Sequence, residues 1–204
     1  MNDVIHGQIG GNGDSGSVRE ADDVSDRVMT AEEYLAAEGP PTHSELIQGK
    51  VLGMNQPSVT HGAICVEIAY LLKVHCKKHH CGTVFGNDAG ILVRRDPDSV
   101  CGADVAYCSY DRMPKDKIPD SYDAPAPEVV FEVLSKIDRW SQTHIKIGEY
   151  LDIDVLVVCV VDPKQRTVRL FRDDGSDTVL TANDTIELPE IQPTFQAKVS
   201  ELFT

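Results

Sequence analysis

Apolar positions along the chain follow two periods, and these divide it into helices and strands. Behind Ser58 or Thr60 as a cap, Ile64, Ile68, Leu71, Leu72 and Val74 recur at helical spacing and predict a long helix to about Lys78, ended by Gly82. Thr30-Ala-Glu-Glu33 has the form of a capping box and predicts a short helix over about 30–38, stopped at Gly39-Pro40-Pro41. Arg139–Asp152 is a third helical stretch. Glu45–Met54 reads as a strand pair or a bent strand with turns or kinks at Gly49 and Gly53. Extended segments follow at Thr83–Val93 and Gly102–Ser109, separated by Asp96-Pro97-Asp98. Residues 110–127, rich in Pro, Asp and Lys, form a loop. Pro127–Leu134 and the fully apolar Val155–Val161 predict buried central strands. Thr167–Arg172 and Thr178–Ala182 flank Asp174-Gly175 as a C-terminal β-hairpin. The expected fold is mixed α/β, a central sheet flanked by helices.

Composition narrows this picture. Hydrophobic residues make up 41% and charged residues 25% of 204, an ordinary globular balance. The longest apolar run, Val155–Val161, has seven residues, whereas a membrane helix needs roughly 20, so no membrane partner is expected. Residues 1–28 are rich in Gly and acids and lack the apolar core of a signal peptide; they read as a disordered tail before one domain at 29–204. Six cysteines, mostly within apolar stretches, read as free thiols and place the chain in a reducing cytoplasm.

A net charge of −14 argues at first against a nucleic-acid partner. Its distribution softens the objection. Residues 1–28 carry −4 and residues 173–204 carry −6, which leaves only −4 for the whole middle of the chain. A locally positive groove in that middle is compatible with the composition.

The residue that most demands explanation is Glu132. It interrupts Val129-Val-Phe-Glu-Val-Leu134, where an ionised carboxylate costs several kcal/mol unless it is paired or bound to a cation. Period-two alternation puts Val130, Glu132 and Leu134 on one face. Asp104 has the same character in Gly102-Ala-Asp-Val-Ala-Tyr-Cys108, sharing a face with Ala106 and Cys108. Two carboxylates on neighbouring strands can converge on one hard divalent ion such as Mg²⁺, whose retained waters suit attack on a phosphodiester. The other reading is a structural acid at a sheet edge or opposite an arginine.

Several segments, in one order, resemble the Uma-two-type restriction endonucleases, a bacterial group within the PD-(D/E)XK nuclease superfamily. The resemblance runs from about Met29 to Phe203. MTAEEYL opens it, SELIQGKVLGM follows, and Pro57-Ser-Val-Thr-His61 precedes the long helix. Asp104-Val and PEVVFEVLS match the family's two acidic strands. Lys146 with Tyr150 matches its Lys-x-x-x-Tyr, and Val160-Val-Asp-Pro163 comes after. The resemblance implies a restriction-endonuclease-like fold and Mg²⁺-dependent hydrolysis of DNA phosphodiesters, with Mn²⁺ as a substitute ion. It implies Asp104 and Glu132 as metal ligands, with Glu45 as a third acid. The superfamily's lysine, two residues after the glutamate, is replaced here by Leu134. Lys146 on the next helix is the substitute, with Lys136 ranked below it. His61 would position water or phosphate as a neutral imidazole. Cutting two strands is compatible with a homodimer.

Three rivals remain open. The same fold could serve as a catalytically inactive DNA- or protein-binding module. His75-Cys76-Lys-Lys-His79-His80-Cys81 packs three His and two Cys into seven residues, which suits Zn²⁺ by ligand type. It lacks a paired-cysteine spacing, however, and sits where a solvated helix end is expected. Ser135, Ser141 and His144 could be read as a hydrolase set, but no nucleophile elbow accompanies them. Gly10-Gly-Asn-Gly13 lies in the tail, outside the strand–helix context a phosphate loop needs.

Overall fold

The computed structural model describes residues 28–37, 43–135 and 140–203. The predicted tail therefore lies outside the described residues except for Val28, as do Gly39-Pro40-Pro41 and Lys136. Helix α1 (Ala31–Ala36) starts at the expected capping box: the Thr30 hydroxyl accepts from the Glu33 amide, and the Glu33 carboxylate accepts from the Thr30 amide. β1 (Ser44–Ile47) and β2 (Lys50–Gly53) form a tight antiparallel hairpin. Gln48 and Gly49 turn it with φ of 49° and 73°, so Gly49 is a turn residue and the strand-pair reading holds. Asp98 ties this corner together. Its carboxylate accepts from the Ala31 amide at 2.8 Å and from Arg95 at 2.9 Å, while its carbonyl accepts from the Gly49 amide at 2.7 Å.

Helix α2 (Val59–His79) is capped by Ser58 and buries Ile64, Ile68, Leu72 and Cys76, a stripe with a spacing of four. Val74, counted in the sequence as part of that stripe, is instead half exposed. The helix ends one step earlier than Gly82 implies, because His80 itself adopts the left-handed conformation at φ 54°. Gly82 is then free to open β3, where a side chain would strike the Tyr107 ring and the Cys108 carbonyl. By length and composition α2 would suffice to cross a bilayer. Here its apolar stripe faces the sheet, and Lys73, Lys77 and Lys78 line its outer turns.

The long antiparallel pair β3 (Gly82–Arg94) and β4 (Ser99–Ser109) is joined by β5 (Val129–Val133), β6 (Val157–Asp162), β7 (Thr167–Arg172) and β8 (Asp177–Leu180). The spatial order is β2-β1-β4-β5-β6-β7-β8, with β3 also on β4. Among the described strands only β5–β6 is parallel, and the crossover between them carries α3 (Trp140–Leu151). β5 and β6 are the buried central strands that their apolar runs predict. The β7–β8 hairpin stands where Asp174-Gly175 placed it. After it comes a pair with no strong pattern in the sequence, β9 (Thr185–Leu188) and β10 (Phe195–Lys198), followed by a 3₁₀ turn at Val199–Phe203.

These elements make two layers of core. On one face α2, β9, β10 and the 3₁₀ turn pack on Val105, Phe131 and Cys159. On the other, Ile147 and Tyr150 of α3 pack on Ala106, Val130 and Val158. The architecture is a mixed sheet flanked by helices with a hairpin at its C-terminal end, as expected.

Candidate active site

β4 is bordered by β3 along one edge. Its other edge is shared: β1 pairs at Val100 and β5 at Val105–Tyr107. Between them β4 has a stretch of edge without a strand partner among the described residues, and the candidate site occupies that gap. The Gly102 amide, which would otherwise lack a partner there, donates to Glu45 Oε1 at 2.9 Å. The Gly102 carbonyl accepts from Lys146 Nζ at 2.8 Å and from the Tyr150 hydroxyl at 3.4 Å. Side chains thus complete a gap in the sheet.

Lys146 is the centre of this arrangement. Its ammonium lies 3.0 Å from Glu45 Oε1 and 3.1 Å from Glu132 Oε2. Residue 146 is one turn before Tyr150 on the buried face of α3, so both reach the same carboxylate: the Tyr150 hydroxyl donates to Glu132 Oε1 at 2.9 Å. Leu134, in the usual lysine position, instead packs into the α3-side core. Glu45, Glu132 and Lys146 keep 11%, 13% and 20% of their side-chain surface, so the cluster is sunken yet reachable from solvent.

Asp104 arrives by a different device. Gly86 pairs with Val105 and Ala89 with Ala103, so Asn87 and Asp88 of β3 stand against Asp104 alone. Both bulge residues have positive φ, 63° and 55°. The simple alternation expected for β4 breaks here: Cys101 and Ala103 pack with Ala106 in one core, and Val105 packs in the other. The Asp104 carboxylate accepts from the Val133 amide at 2.7 Å, the residue after Glu132, and lies 3.2 Å from His61 Nε2. It touches neither Lys146 nor Glu132 directly, but its charge is felt at Glu132.

The electrostatics follow from burial and crowding. Desolvation pushes the Glu132 carboxyl up to about 8; Lys146 opposes this, while the charges of Asp104 and Glu45 add to it. Burial works against the Lys146 ammonium, but Glu132 and Glu45 outweigh it and hold it protonated. The hydrogen bond to Asp104, assisted by Cys65, raises His61 to about 10. The Asp104 contact therefore favours the charged imidazolium over the neutral ring expected from the sequence. Asp88 is the member the sequence reading missed. Burial raises its carboxyl, with Asp104 and Glu45 adding and His43, 3.5 Å away, opposing. The available signal was Gly86-Asn-Asp, a turn-type break inside a strand pattern.

Glu45 of β1 and Glu132 of β5 meet at one ammonium, while Asp104 of β4 and Asp88 of β3 stand toward α2 and His43. No three of these carboxylates come within one ion's reach among the described residues, so a hard divalent cation would take one or two of them and keep its waters. Other sequence candidates are placed elsewhere. His75 contacts the Pro193 carbonyl and the Phe195 ring, and His75–Cys81 does not assemble as a metal-type cluster among the described residues. His144 packs between Trp140 and Phe171.

A family model named Uma2 and described as "Putative restriction endonuclease" matches residues 31–200. A crystal structure described as a putative nuclease belonging to DUF820, from Anabaena variabilis ATCC 29413, superposes with a TM-score of 0.73. That likeness covers 86% of this chain and 97% of that one at 19% identity, and concerns the fold. No curated protein matches. With a family match across nearly all of the described residues, the chain belongs to the Uma2 family.

Proposed function

We propose that this protein is a Mg²⁺- or Mn²⁺-dependent endonuclease that hydrolyses DNA phosphodiester bonds. The observation that carries the reading is Lys146, an ammonium delivered from α3 onto the carboxylates of β1 and β5 at about 3 Å. Asp104 and Glu132 would hold the metal, supported by Glu45. When bound, the ion supplies Lewis-acid polarisation of the phosphate and of water. Lys146 keeps a fixed positive charge where a pentavalent phosphorus gathers negative charge, and Glu45 with the Gly102 carbonyl aims it. Tyr150 fixes the rotamer of Glu132. The His61 ring holds Asp104 in place through Nε2 and, on releasing Cys65, would turn Nδ1–H to a phosphate oxygen or water. Six free thiols suit a reducing cytoplasm, and cutting both strands suits a homodimer.

Plasmid DNA incubated with the purified protein and Mg²⁺ or Mn²⁺ tests this. Cleavage should fall at least about a hundredfold in Glu132→Ala and stay unchanged in Asp152→Asn, exposed just past the end of α3. Absence of cleavage together with absence of calorimetric Mn²⁺ binding would leave a non-catalytic binding module in its place.

A further inference from the structure

Beyond the carboxylate cluster, a second group of donors meets on the α2 side of the sheet. His61 and Cys65 lie one turn apart on α2 and project together. Their contacts form a chain: Cys65 Sγ is 3.5 Å from His61 Nδ1, and His61 Nε2 is 3.2 Å from Asp104 Oδ2. One ligand atom from each of the three residues lies within 4.8 Å of the other two. All three line a cavity of about 680 Å³ between α2 and β3, edged by Tyr70 and Asp88, which gives an ion a route in from solvent.

We infer that His61, Cys65 and Asp104 form a binding site for a borderline-soft transition ion of the Zn²⁺ class, separate from the hard-ion site at Glu132. The donor types decide the ion. A thiolate and an imidazole select Zn²⁺ or Co²⁺ over Mg²⁺, and the carboxylate completes a set of three. Metal–ligand bonds of about 2.0–2.3 Å place tetrahedral donors about 3.5 Å apart, so small rotations of the three side chains suffice. A single ion takes one imidazole nitrogen, so His61 gives up one of its two present contacts, and binding releases the ring's extra proton and the Cys65 thiol proton to solvent. The fourth position faces the cavity and is left to water.

The consequence for catalysis rests on the endonuclease reading: Asp104 belongs to both ligand sets, so zinc bound here competes for its carboxylate with the magnesium set. The binding claim stands apart from that reading and is tested without DNA. Co²⁺ titrated into the full chain should give a thiolate-to-cobalt charge-transfer band in the near ultraviolet that saturates at one equivalent, and Zn²⁺ should displace it. The band should disappear in Cys65→Ser and in His61→Gln, each checked for folding by circular dichroism, and persist in Cys81→Ser and Glu132→Gln. No band in the wild type, a band that survives in Cys65→Ser, or one that vanishes in Cys81→Ser would overturn the assignment. Loss of the band in Glu132→Gln would place the ion in the other site and also refute it.

Discussion

Glu132 and Lys146 show how one contact can be asymmetric in energy. Replacing Lys146 with Met leaves Glu45 and Glu132 close together in a sunken site without their counter-ion. That should cost about 3 kcal/mol in urea-induced unfolding, the low end for breaking a buried pair because the cluster still touches solvent. Glu132→Gln should lie within about 1 kcal/mol of wild type at pH 7. Burial pushes the carboxyl up to about 8, so a neutral amide removes little charge at pH 7, and its oxygen keeps one of the two present donors, Tyr150 or Lys146. Equal losses in the two variants would mean that Glu132 is ionised in the resting protein.

At the scale of elements, function depends on an irregularity. The β3 bulge re-aims Asp104 from the sheet face toward the Val133 amide and α2, a result that strict alternation along β4 would not give. Gly86 makes the close approach that the bulge needs: a Cβ there would lie 2.5 Å from the Asp104 carbonyl oxygen, a backbone atom that cannot yield without moving Asp104. Gly86→Ala should therefore destabilise by about 1–3 kcal/mol and lower cleavage by about a hundredfold through displacement of Asp104. Thermal melts and plasmid assays on the same preparation check both, and a stable variant with full cleavage would show that Asp104 is not positioned by this contact.

Across the whole molecule, proton and metal compete for the same acids, which ties stability to pH. The folded Glu132 carboxyl titrates at about 8 against an ordinary 4.5, so folding takes up a proton between those values. Its contribution to the metal-free protein is fully present below about 4.5 and is lost as pH rises through about 8. Mn²⁺ reverses the trend, because below about 8 the cation must displace that proton and above it need not. At a hundredfold excess over Kd, Mn²⁺ should raise Tm by about 5–10 °C at pH 8.5 and by clearly less at pH 6. In Glu132→Gln the pH dependence of the shift should vanish. A shift as large at pH 6 as at pH 8.5 in the wild type would remove Glu132 from the metal set.

Periodicity and capping made most of the framework legible in the sequence. The Thr30 box, the stripe at Ile64, Ile68 and Leu72, and the apolar runs at Val129 and Val157 each rest on local physics that survives without knowledge of neighbours. β9 and β10 escaped notice because four-residue strands gain their stability from the α2 layer they cover, not from their own pattern. The acids show the same division. Glu128 and Glu132 stand in one strand segment with equal parity; the apolar run singles out Glu132, but the sequence does not show what partner meets either acid. Folding brings Ser109 and Arg112 to Glu128, which becomes a buried clasp for the following loop. It brings Lys146 and Tyr150 to Glu132, in the gap between β1 and β5. Which carboxylate is available for chemistry depends on what packs against it from distant parts of the chain, and only the tertiary structure decides that.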